Sequence, residues 1–90
     1  MNKNELVNEV ARKTGLSRRE AEVGVQTMLD LIIKGLVSGD KVTLTGFGTF
    51  DVGVRKERTG VNPRTGSSIQ IPQTKMPRFK PSKNFRSKIK

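Results

Sequence analysis

Arg55, Lys56, Arg58 and Arg64 crowd around the pentapeptide Asn62-Pro63-Arg64-Thr65-Gly66, and Lys75 follows beyond it. Guanidinium and ammonium groups spaced in this way are suited to holding phosphate oxygens and releasing the counterions of a polyanion. Asn62, Arg64 and Thr65 bring side chains that can hydrogen-bond acceptors on the floor of a nucleic-acid groove. Pro63 is rigid and apolar and has no N–H to desolvate. Those properties suit a wedge between stacked bases, where unstacking costs a few kcal/mol and is offset by the contacts that bending brings within reach. A plainer reading stands beside it: Asn-Pro and Thr-Gly are ordinary turn chemistry. On the residues alone the turn former is the stronger of the two.

The element that must carry these side chains is the stretch from Gly53 to Lys75. A charged run leads into the Asn/Pro/Gly turn, and a shorter alternating run, Ile69 and Ile71, leads back, which predicts a β-hairpin. At about 3.3 Å per residue, limbs of about ten residues reach roughly 30 Å from the body. With almost nothing apolar near its tip, the hairpin has no core of its own. An isolated two-stranded ribbon is marginal in water, so a partner is expected to order it. Ribbons of this width fit DNA grooves.

Charge points to the same partner. The 90 residues carry a formal net charge of +10, and it is segregated. Residues 1–40 are neutral: Lys3, Arg12, Lys13, Arg18, Arg19 and Lys34 balance Glu5, Glu9, Glu20, Glu22, Asp30 and Asp40. All the excess lies in residues 41–90, where only Asp51 and Glu57 oppose the basic side chains. A merely solubilising surface does not require segregation, whereas a polyanion binder does, and nucleic acid stands ahead of membrane.

Enzymatic chemistry fails on inventory. With no His, the commonest general acid/base is missing. With no Cys either, a zinc site is not expected. Gly46-Phe47-Gly48 is too short for a phosphate-cradling loop, and no Walker lysine follows it. No metal, cofactor or small-molecule substrate is expected. The absence of Cys fits a reducing compartment. No run is long enough to span a bilayer, and the start MNKNELVNEV lacks a signal-peptide core, so a cytoplasmic location is expected.

The rest of the chain reads as scaffold. Asn2 caps a first helix, with Glu5 as its capping-box partner. Leu6, Val7, Val10 and Ala11 form its apolar stripe, and Gly15 is its stop. Ser17 and Glu20 repeat the box and open a second helix running to about Ser38 and stopping at Gly39. Ala21, Val25, Met28, Leu29, Ile32, Leu36 and Val37 keep a helical period, while Val23, Leu31 and Ile33 widen the face. The first helix covers one side of such a helix; a second copy of the chain is the expected cover for another. Gly24 marks an expected close helix crossing.

From Asp40 the period switches to two, through Val42 and Leu44 and then Phe50, Val52 and Val54. The Gly46–Gly48 turn brings Phe47 near Phe50, and these rings read as core rather than as base-stacking platforms. Met76, Pro77 and Phe79 form a returning strand. Ser82 caps a last short helix, with Phe85 and Ile89 four residues apart and Lys83, Arg86, Lys88 and Lys90 on its other face. A core this thin in a small domain leaves burial to be supplied by oligomerisation.

The residues GDKVTLTGFGTFDVGVRKERTGVNPRTGSSIQIP, followed by MPRFKPSK, resemble the HU/integration host factor family of bacterial nucleoid proteins. The likeness extends over essentially the whole chain, from the MNKNELV start through the long second helix. It implies an α+β fold in an intertwined dimer. Residues 1–39 would form a helical dimerisation base. Residues 40–81 would form a three-stranded antiparallel sheet extended into a β-arm at about 53–75, and 82–90 a C-terminal helix. Met28, Leu29, Ile32, Leu36, Leu44, Phe47, Phe50 and Phe79 would make the dimer core. Arg55, Arg58, Asn62, Pro63, Arg64 and Thr65 would lie in the minor groove, joined by Lys56 on the arm, with Pro63 as the intercalating wedge. Lys75, Arg78, Lys80, Lys83 and Arg86 would meet phosphates along the body. This mode of binding belongs to the family and is not read from the residues. The chain departs from the family pattern at Val61, where many members are basic, at Ser82, usually glycine, and at Phe85, usually aliphatic.

The implied function is a sequence-tolerant, DNA-bending homodimer associated with the nucleoid. A site-preferring bender like integration host factor is the nearest alternative. A helix-turn-helix regulator turning at Thr14-Gly15-Leu16 would need a second helix less apolar than this one. An RNA-binding role rests on charge alone, and a membrane-surface role lacks an apolar partner face.

Overall fold

The computed structural model describes residues 1–89. Its element order is α1 (Lys3–Thr14), α2 (Arg18–Val37), β1 (Val42–Leu44), β2 (Gly48–Arg55), β3 (Arg58–Val61), β4 (Ser68–Ile71), β5 (Thr74–Pro81) and α3 (Lys83–Lys88). The α+β class and the antiparallel sheet extended into an arm are as expected. Two compact units divide the chain, Met1–Gly35 and Leu36–Lys90.

In the first unit the helix boundaries follow local chemistry. Asn2 Oδ1 accepts the Glu5 N–H at 2.9 Å, although Glu5 does not reach back to complete a box. Ser17 and Glu20 do complete one: Ser17 Oγ accepts the Glu20 N–H at 3.1 Å, and Glu20 Oε1 accepts the Ser17 N–H at 3.0 Å. The Ser17 backbone N–H, and after it the Ser17 hydroxyl acting on the carboxyl itself, hold Glu20 below the usual range. Gly15 and Gly39 stop the two helices with φ of 75° and 86°.

The core of this unit is small: Val7, Ala21 and Val25, backed by Val10 and Ala11, while Leu6 is exposed. Along α2, Val23 is 60% and Leu31 62% exposed, and Met28, Leu29 and Ile33 also face outward, with Ile32 half-buried. The close crossing expected at Gly24 is not made within this chain, since nothing lies within 4 Å of where its Cβ would stand.

In the second unit β1, β2 and β5 form an antiparallel sheet in that order. Pro77 and Pro81 fall on β5, an edge strand, where a missing N–H is tolerated. The register pairs Phe50 with Phe79 and Val42 with Phe50, placing these residues with Leu44, Val52 and Val54 on one face. Phe47 joins from the turn and Phe85 from α3. Ring centroids lie 4.8 Å apart for Phe50–Phe79, 5.1 Å for Phe47–Phe79 and 5.2 Å for Phe47–Phe85. All four phenylalanines of the chain thus meet in one cluster, each good pair adding about 0.5–1.5 kcal/mol beyond burial. Phe47 and Phe79 remain partly exposed, and Phe50, Leu44 and Leu36 are half-buried.

Ser82 caps α3 as expected, accepting the Phe85 N–H at 3.1 Å. Ile89 does not join the helix as expected: α3 ends at Lys88, and Ile89 is its extended, exposed C-cap. A helix of fewer than two turns has few hydrogen bonds to carry it further. Lys90 lies outside the described residues.

Candidate nucleic-acid interface

The arm is not the single continuous hairpin that its sequence predicts. A second sheet, β3 with β4, forms the tip, pairing Arg58 with Ile71 and Val61 with Ser68. Its register continues that of β2 with β5, where Arg55 pairs with Thr74, so no residue is inserted between the two. Lys56, Glu57, Pro72 and Gln73 nevertheless lie outside the ladder. Pro72, which has no N–H to give to a ladder, lies in this gap.

The tip is built by local hydrogen bonds. Asn62 N–H donates to the Ser67 carbonyl and Gly66 N–H to the Asn62 carbonyl, both at 2.8 Å. Asn62 Oδ1 accepts the Arg64 N–H at 2.9 Å, an Asx turn bridging across Pro63. Thr65 Oγ1 donates to Ser67 Oγ at 3.0 Å. Gly66 turns the chain at φ 72°, a conformation that side chains other than glycine resist. Pro63 is therefore presented outward on a closed loop, whichever role it has. Among the described residues the Asn62 amide N–H₂ donates to no other group, which leaves a donor suited to the acceptors of a minor-groove floor. Arg64 keeps its whole guanidinium.

Among the described residues Arg55, Lys56, Arg58, Arg64 and Lys75 enter no ion pair. The one acid on the arm, Glu57, accepts instead from the Gln70 amide. Five cations without an ion pair on a thin, solvated element give it a positive potential of the kind that suits a polyanion.

At the sheet the register sorts the remaining cations. Arg55, Arg78 and Lys80 share one face with Thr43, Thr49 and Asp51, opposite the phenylalanines. Lys75 pairs with Val54 and lies on the other face. Arg78 is not free: its Nε donates to Asp51 Oδ1 at 2.9 Å and its Nη2 to Oδ2 at 3.2 Å. Lys80 Nζ stands 4.0 Å from Oδ2. The Arg78 bonds, opposed by partial burial, hold the Asp51 carboxyl below its usual range and push the guanidinium of Arg78 up. Lys83 and Arg86, on α3, form no ion pair among the described residues.

Comparison with known proteins agrees with this geometry. The family model described as bacterial DNA-binding protein matches residues 1–90. The chain belongs to this family. Within it, the chain is 48% identical to the SPbeta prophage-derived DNA-binding protein HU 2 of Bacillus subtilis, covering 100% of this chain and 98% of that one. It is 47% identical to the DNA-binding protein HU of Geobacillus stearothermophilus, covering 100% of both. Among solved structures, the Anabaena HU–DNA cocrystal matches with a TM-score of 0.90 and 45% identity over 99% of this chain and 97% of that one. HU from Thermotoga maritima matches with a TM-score of 0.70 and 30% identity, covering 100% of both. The resemblance carried by the arm motif is borne out.

In this member of the bacterial DNA-binding family, two polar side chains of α2 are engaged within the chain. Arg18, at the start of α2, is tied to Asn8 at 2.9 Å, Asn4 at 3.3 Å and Glu22 at 2.9 Å. Gln26 is engaged by Lys3 and donates to Asp30 at 2.8 Å. Among the described residues no helix is long and apolar enough to cross a membrane. The sequence reading missed two features of the interface: the pairing of Asp51 with Arg78, and the separation of Lys75 from the other cations. The second was available by counting inward from the turn, since partners across a hairpin share a face.

Proposed function

We propose that this chain is a sequence-tolerant architectural protein that binds double-stranded DNA as a homodimer, lays its β-arms in the minor groove and bends the duplex by inserting Pro63. The observation that carries this reading is the tip: an exposed proline held on a closed loop by Asn62, at the end of an arm whose cations have no acidic partner among the described residues. Arg55, Lys56, Arg58 and Arg64 track phosphates and the groove rim, and Asn62 and Thr65 face the floor. Lys75, Arg78, Lys80, Lys83 and Arg86 hold flanking phosphates, steering the DNA toward the sheet and α3. Minor-groove readout is degenerate, so such contacts favour many sequences alike. Binding of this kind places the protein with the chromosome, in the cytoplasm.

The homodimer is supported by what one chain leaves uncovered. Val37 is 82% exposed, and Met28, Leu29, Leu31 and Ile33 face outward from the same helix. A small domain with three buried apolar residues in its helical unit needs further burial to be stable. A second copy supplies it, with Met28, Leu29, Ile32, Leu36, Leu44, Phe47, Phe50 and Phe79 in the shared core. On this proposal residues 1–39 are the dimerisation part, 40–81 the sheet and arm, and 82–90 the terminal helix.

The test is Pro63→Ala, read by energy transfer between dyes at the two ends of a short duplex. The ends should stay several-fold less bent at saturation, with affinity reduced far less. Unchanged bending makes Pro63 a turn former only. Competition against random DNA separates the HU-like reading, with a specificity ratio near one, from a site-preferring bender.

A further inference from the structure

One carboxylate sits where a phosphate-binding surface has least use for it. Asp51 is 7% exposed, the one polar or charged residue buried among the described residues, and it shares its sheet face with Arg55, Arg78 and Lys80. Both its oxygens are taken by Arg78, and Lys80 stands beside the second. The Arg78 side chain runs across Gly53: a Cβ there would meet its Cδ at 2.7 Å and its Nε at 2.8 Å. The absence of a side chain at position 53 is thus what lets Arg78 lie flat and reach Asp51. The Arg78 side chain is still 47% exposed, and two of its five N–H donors are used, so its outer edge remains open to solvent.

We infer that Asp51 is a positioning residue that holds Arg78 on the DNA-facing side of the sheet and sets how steeply DNA binding depends on salt. The inference rests on the proposal that this face meets phosphates. Charge balance gives the same result by either route. If Arg78 keeps Asp51 and adds a phosphate, the ion pair is already neutral and displaces no counterion from the DNA. If Arg78 leaves Asp51 for the phosphate, one DNA counterion is released while the bare carboxylate takes up another cation. Each engaged Arg78 therefore contributes to affinity and orientation with almost no net counterion release. Arg55, which has no acidic partner, contributes a full one.

The experiment measures log K against log salt for a short duplex, using the full chain. Asp51→Asn should steepen the slope by about 0.9 per engaged Arg78, so that affinity falls roughly threefold more between about 50 and 200 mM salt. Asp51→Glu should return the slope toward that of the unaltered protein. Asp40→Asn removes the same charge from an exposed carboxylate that bonds no cation among the described residues, and should leave the slope unchanged. The double variant Asp51→Asn/Arg78→Gln removes the pair together and should also keep the original slope, which provides a measurement if the single Asn variant fails to fold by circular dichroism. An unchanged slope in folded Asp51→Asn, an equal steepening in Asp40→Asn, or a shallower slope in the double variant would each overturn the inference. A flat slope in the unaltered protein would instead sink the DNA-binding proposal beneath it.

Discussion

The two halves of one hairpin are held together by different forces. Near the body, β2 and β5 pair over eight residues, with an aromatic cluster on one face and the Asp51–Arg78 bond on the other. At the tip, β3 and β4 pair over four, with no aromatic side chain and no ion pair among the described residues; Asn62, Thr65 and Ser67 close the loop by local hydrogen bonds. The register is the same in both halves, so pairing geometry does not distinguish them. What differs is what each strand has beside it. Side-chain packing is found at the base, where Arg55 and Lys75 are nevertheless without an ion pair among the described residues, while the tip carries Arg58 and Arg64 with no packing beside them. A ribbon that buried its cations to gain stability would have none to give to phosphate.

The largest effect should come from the base. Phe79 contacts Phe47, Phe50 and Phe85, so Phe79→Ala opens the centre of the cluster. Phe→Ala changes in a core cost about 3–5 kcal/mol. The partial exposure of Phe79 places the loss near the low end in chemical denaturation. The folded fraction should bind DNA with an unaltered salt slope. A stability loss under about 1 kcal/mol would mean that the cluster is ornamental and that the contrast between base and tip is false.

The converse comes from the tip. Arg58→Gln/Arg64→Gln removes two cations that hold nothing in the protein. Stability should stay within about 0.5 kcal/mol, the usual range for surface substitutions. The slope of log K against log salt should become shallower by about 1.8, two phosphate contacts at about 0.9 each. A change in melting temperature as large as that of Phe79→Ala would show that the tip carries structural load. An unchanged slope would show that these guanidinium groups miss the phosphates.

Local signals were legible in the sequence and distant ones were not. Ser17 and Glu20, Gly15, Ser82 and the Asn62–Gly66 turn act over three or four residues, and each forms as the sequence predicts. The pairing of Asp51 with Arg78 spans 27 residues and depends on register, which periodicity alone does not fix. Ile89 falls just past the end of α3 because spacing shows which residues a helix would align, but not where a helix of fewer than two turns stops. The outward-facing stripe of α2 was legible as a surplus of apolar residues, although which of them one chain covers was not. Pro72 is a different case. Proline inside a strand pattern is a recognised break, and the alternation Ile69, Ile71 concealed it.

The smallest effect tests that break directly. Lys56 stands opposite Gln73, and Glu57 opposite Pro72, by continuation of the register on either side. If the missing N–H is what parts the two sheets, Pro72→Ala restores a donor and lets the ladder close through these positions. The gain is about one net hydrogen bond, roughly 0.5–1.5 kcal/mol. Against it stands the added freedom of the unfolded chain on losing proline, roughly 0.4–1 kcal/mol. The two nearly cancel, so the denaturation midpoint is a poor readout, and slowed amide exchange at residues 56–58 and 72–74 is the informative one. Protection there, with global stability unchanged, would join base and tip into one sheet and assign their separation to a single atom. Exchange as fast as before would mean that the gap comes from the crowding of Arg55, Lys56 and Arg58. The weakness of the ribbon would then be a consequence of the same charges that fit it for DNA.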